Sequence, residues 1–164
     1  MTQAMSEPMV EALDPVERRL LPVLRCFLAA LQASAGRDWR QGYDLAAEVW
    51  GEGRGLAIAH RTQAFVGALL QSRGRALTHG EAFRPEARET LTTDERMILS
   101  LLAHIRADET REARHLLALL TAGRIEGAVV HAALSLCALL EGRQTSSRSG
   151  AAVRLAVVPG TGAA

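Results

Sequence analysis

Apolar residues recur at intervals of three and four along the middle of this chain, and that spacing is the signature of helices with one buried face. After Asp14 come Val16, Leu20, Val23, Leu24, Phe27, Leu28 and Leu31. After Thr92 come Met97, Ile98, Leu101, Leu102 and Ile105. Each series opens on a capping box. In Asp14-Pro15-Val16-Glu17, Asp14 caps, Pro15 suits the first helical position, and Glu17 reaches back. Thr92-Thr93-Asp94-Glu95 repeats the arrangement, Thr92 to Glu95. Pro22 falls inside the first series, where it predicts a kink or a restart.

The other elements follow from punctuation. Gly36 ends the first helix, and Asp38 caps a second whose face is Trp39, Tyr43, Ala46, Ala47 and Trp50. The glycine-rich stretch 51–55 breaks it. A third helix over about 56–72 has Ile58, Phe65, Val66, Leu69 and Leu70 as its core. Asp108 caps a fifth helix with Leu116, Leu117, Leu119 and Leu120 inward, and Gly123 ends it. A sixth, over about 125–141, turns Val129, Ala133, Leu136, Cys137 and Leu140 inward, and Gly142 ends it. Gly-Arg pairs recur at Gly36, Gly74, Gly123 and Gly142. Glycine closes helices in the left-handed conformation, and a cation suits a helix C-terminus.

Between Gly74 and Leu91 the pattern fails. Most connections run about 4–6 residues, so this one is either functional or partly structured. The expectation is an all-α bundle of about six helices in two three-helix halves, 14–73 and 92–142, joined by loop 74–91. Residues 1–13 are expected to be frayed. Residues 143–164, rich in Ser, Gly, Ala and Thr, read as a disordered tail with one short apolar run at 153–158.

Composition supports a packed domain. The chain has 164 residues, 48% of them hydrophobic, enough apolar surface to offset chain entropy. Aromatics are only 4%, so the core is aliphatic. The net charge of +1 selects neither polyanions nor polycations. All 19 basic residues are Arg. Their scatter fits codon bias better than phosphate or carboxylate recognition. No secretory signal occupies residues 1–8, so Cys26 and Cys137 read as buried, reduced thiols of a cytoplasmic protein. The best apolar runs, 20–31 and 125–140, contain Arg25 and His131 and fall short of the roughly 18–20 residues of a membrane span.

The chemistry-bearing residues give no complete constellation. The glycine cluster 51–55 follows a helix rather than a strand, so it reads as a hinge; an anion site using Arg54 is the weaker alternative. Glu112 and His115 form one Glu-x-x-His, but a di-metal bundle needs two. His104, Asp108 and His115 share a face only if one helix runs through Asp108. His60 and His131 sit in apolar helices and read as core or boundary residues; His79, Glu81, Glu86 and Glu89 follow no ligand spacing. The turn Thr121-Ala122-Gly123 suits a helix-turn-helix, but the following helix offers Gly127, Ala128, His131, Ala132 and Ser135 in place of a basic face. Nothing here argues for catalysis, a cofactor or a metal.

Trp39, Tyr43 and Trp50, flanked by Arg37, Arg40 and Arg54, make the first candidate interaction surface. The small-residue face of the sixth helix is the second, as a dimer seam. The functional expectation is a non-enzymatic helical interaction or regulatory protein that self-associates, with a protein partner of unspecified identity. A DNA-binding regulator, and a bundle binding metal or a small ligand, are the alternatives.

Overall fold

The computed structural model describes residues 13–33, 39–84 and 89–142. The fraying expected at the N-terminus, the tail expected over 143–164, and Asp38 as a cap fall wholly or almost wholly outside them. The described residues form six α-helices and no strand: α1 (Pro15–Gln32), α2 (Arg40–Trp50), α3 (Glu52–Arg73), α4 (Thr93–Arg106), α5 (Thr110–Leu120) and α6 (Gly127–Leu140). The chain is an all-α bundle, as the apolar spacing predicts.

Both capping boxes form. Asp14 Oδ1 accepts the Glu17 N–H at 2.8 Å, and Glu17 Oε2 accepts the Asp14 N–H at 2.9 Å. Thr92 Oγ1 accepts the Glu95 N–H at 3.1 Å, and Glu95 Oε2 accepts the Thr92 N–H at 2.9 Å. Pro22 does not restart α1, which runs unbroken through it. Leu20, Leu21, Val23 and Leu24 around it are all buried, and their packing outweighs one missing backbone bond.

Two boundaries differ from the sequence reading. The break between α2 and α3 is not the whole stretch 51–55. Gly51 alone makes it, at φ +79°, and Gly53 and Gly55 lie in the first turn of α3. Gly55 is needed there for close approach: a Cβ on it would stand 2.2 Å from the Ala46 carbonyl oxygen. At the α4–α5 joint, Asp108 is not a cap. It sits at φ +59°, and its N–H returns to the Ile105 carbonyl, so it closes α4 instead of opening α5. Glu109 takes the N-cap position without a side-chain capping bond. The inward face of α5 is Ala113, Leu117 and Leu120; Leu119 points outward, 52% exposed. α6 buries the expected Val129, Ala133, Leu136, Cys137 and Leu140.

One hydrophobic cluster takes residues from all six helices. α3 is central, packing on α1, α2 and α6, while α5 leans on α4. The halves 15–73 and 93–140 therefore interlock, because α6 finds its main neighbour in the first half. No helix among the described residues is long and apolar enough to cross a membrane.

Candidate functional site

α2 and the turn before it carry the aromatic residues of the first candidate surface. Tyr43 is the hub there: its ring stands edge-on to Phe27 at 5.6 Å and to Trp39 at 5.5 Å, and its hydroxyl donates to Gln63 Oε1 at 2.7 Å. Trp39 is 48% exposed, and the Arg40 guanidinium lies 5.8 Å from its ring centre. Trp50 is half-buried and packs on the core at the far end of α2. Arg54 stands apart from these rings in its bonding. Its Nη2 donates to the Leu139 and Leu140 carbonyls at 2.9 and 3.1 Å, at the C-terminus of α6. The structure thus joins Trp39, Arg40 and Tyr43 into one patch and commits Arg54 elsewhere.

Arg54 belongs to a set that sequence reading missed. Arg73 Nη1 donates to the Leu120 carbonyl at 3.1 Å, at the end of α5. Arg124 Nη2 donates to the Arg73 carbonyl at 2.8 Å, at the end of α3. Three helix C-termini are thus capped by arginines from other elements. Terminal carbonyls lack intrahelical donors and carry partial negative charge, so a cation there is stabilising. The planar, multi-donor guanidinium suits this better than an ammonium.

Two arginines are buried against acids that open α4. Arg25 Nε and Nη2 donate to Glu95 Oε1 and Oε2 at 2.6 and 2.9 Å, and Nη2 also reaches the Thr90 carbonyl at 2.7 Å. Glu95 is fully buried and accepts the Gly80 N–H at 2.8 Å besides its capping bond. Burial alone would raise its carboxyl, but the bonds from Arg25, Thr92 and Gly80 and the Arg25 charge outweigh burial and hold it below the usual range. Beside it, Asp94 accepts from Arg73 at 3.2 Å, from the Thr78 N–H at 2.7 Å and from the Thr78 hydroxyl at 2.9 Å. Gln32 exchanges two hydrogen bonds with the Leu77 backbone, at 2.6 and 3.1 Å. Every partner of this network is internal. The connection after α3 is partly structured, and its ordering groups are the Glu95 carboxylate of the second capping box, its neighbour Asp94, and Gln32.

The histidines do not converge. His60, His115 and His131 are exposed, which corrects the core reading of His60 and His131. His104 pairs with Glu109 across the α4–α5 turn. Glu112 and His115 face solvent, and Glu86 lies outside the described residues. Among the described residues no three His, Cys, Asp or Glu side chains come together as a metal site. Cys26 and Cys137 are free and buried, and burial pushes their thiols up to about 11 and about 12.

A further open feature of the described residues lies in the second half. α5 leans on α4 and α6 leans on α3, so α5 and α6 hardly touch. Between them runs a groove of about 420 Å³. Leu101 and Ile105 of α4 form its floor, Ala113 and Leu117 one wall, Val130 and Ala133 the other. Leu134 and Ile125 stand on its lip, 53% and 43% exposed. Asp108, Glu109 and Arg114 supply charge at the rim.

No protein-family model, curated protein or solved structure matches the chain.

Proposed function

We propose that this chain is a non-enzymatic helical interaction protein, of adaptor or regulatory type, that self-associates. The observation that carries this reading is the uncovered side of α6 and the groove beside it. α6 reads GAVVHAALSLCALL, with no Asp, Glu, Arg or Lys; besides the buried Cys137 thiol, His131 is its one ionisable residue. A helix this apolar all round is normally buried on every side. Here Gly127, Ala128, His131 and Leu134 face outward instead. Exposed apolar surface of this kind, rimmed by polar groups, marks a place where protein docks on protein.

The buried polar groups support the same reading. Arg25, Arg73, Asp94 and Glu95 brace helices against one another, and none of them lines the α5–α6 groove. A DNA-reading helix would need a basic outer face, which α6 lacks. Arg54, the arginine that an anion site at the glycine cluster would use, is bonded to carbonyls at the end of α6.

Sedimentation equilibrium of the full chain over micromolar to millimolar concentration tests the proposal. The expected result is a reversible rise from the 17.6 kDa monomer toward a multiple of that mass. A strict monomer across the whole range would overturn self-association.

A further inference from the structure

We infer that the α5–α6 groove receives α6 of a second copy, so that α5 and α6 of both copies close into a four-helix layer about a twofold axis. This rests on the self-association proposed above and assigns it a surface and a geometry.

A twofold interface must be complementary to itself, because the same patch serves as both partners. The groove meets that demand. Its hollow is lined by Leu101, Ile105 and Leu117, and its projecting lip carries Leu134 and Ile125 on the same patch. Laid antiparallel, α6 of each copy places its own lip against the other's hollow. The α5–α6 gap is what allows this, since a helix cannot enter between two helices already in contact.

Charge argues for a second copy over an unrelated partner. The rim carries both signs, Arg114 against Asp108 and Glu109, so the patch does not repel its own image. A receptor for a basic or acidic peptide would be expected to show one sign. The outward side of α6 carries no Asp, Glu or Arg, so bringing two such helices together strips water from no fixed charge. His131, the exception, has Ser135 Oγ 3.5 Å from its Nε2.

The experiment is sedimentation equilibrium of the full chain in three variants. Leu134→Glu places a carboxylate on the lip, where the exposed side chain leaves the monomer's core untouched. Self-association is expected to weaken by at least about thirtyfold, the scale of a central interface residue. Ile125→Glu, in the turn before α6, is expected to act in the same direction. Leu119→Glu, equally exposed but on the outward face of α5, should leave association as it is. Far-ultraviolet circular dichroism checks that each variant keeps its helices. An associating wild type whose Leu134→Glu and Ile125→Glu variants associate equally well would overturn this geometry and leave self-association standing. Loss on Leu119→Glu alone would move the interface to the other face of α5. A monomeric wild type would remove both readings.

Discussion

At the scale of single residues, the Arg25–Glu95 pair carries the strongest consequence. Both side chains are buried, at 3% and 0% exposure, and joined by two bonds. Removing one partner of such a pair strands a charge in the core, at a cost of about 3–5 kcal/mol. Arg25→Ala is expected to lose that much in urea denaturation. Arg25→Lys should recover only part of it, because an ammonium cannot span both carboxylate oxygens. Acid works through the same group. Glu95 sits below its ordinary value of 4.5, so its stabilisation is full above that pH and is lost as pH falls toward the lower folded value. Glu95→Gln should therefore show a lower plateau near neutrality and a shallower loss of stability below pH 4.5 than the wild type. The two thiols make a further check. With burial holding both protonated, neither Cys26 nor Cys137 should react with a thiol reagent at neutral pH until the protein unfolds.

At the scale of elements, two glycines of α3 separate propensity from packing. Alanine favours a helix interior over glycine by roughly 0.5–1 kcal/mol. At Gly67 a Cβ would meet nothing within 4 Å, so Gly67→Ala should stabilise the fold by about that amount. At Gly55 the same change meets the α2 backbone at 2.2 Å and must push two helices apart. Gly55→Ala is expected to destabilise by about 1–3 kcal/mol, the range for overpacking. Thermal melts of both variants would decide it, and equal signs would mean that α2 yields freely. Gly42 repeats the constraint one helix earlier, where a Cβ would fall 2.8 Å from the Phe27 ring. The helix ends were largely readable, because caps and terminal glycines act locally. Gly74, Gly123 and Gly142 all take positive φ where helices stop. The donors that finish those ends were not readable. Arg54 stands 85 residues from the Leu139 carbonyl it binds.

At the scale of the whole molecule, the two halves share one core instead of owning one each. α6 lies mainly on α3, so a fragment spanning 92–142 would expose the apolar face that α3 covers. Such a fragment is expected to lack a cooperative melt, whereas the full chain should unfold in one transition. If two copies join through α5 and α6, the melting temperature should also rise with protein concentration, since association stabilises only the folded form. A melting temperature independent of concentration would speak against any dimer in that range.

By itself, the sequence determined the helices, their inward faces in α4 and α6, most of that in α1, where Leu31 is 40% exposed, and both capping boxes. These depend on residues three and four apart, and that information is local. Tertiary structure decided the rest. Arg25 looked like an interruption in an apolar run until Glu95, 70 residues away, met it. The connection after α3 looked irregular until Asp94, Glu95 and Gln32 supplied its hydrogen bonds. The groove had no signature either. It exists because α5 and α6 each pack on a different neighbour, and which helix leans on which follows from how the whole core fills, not from the pattern along any one helix.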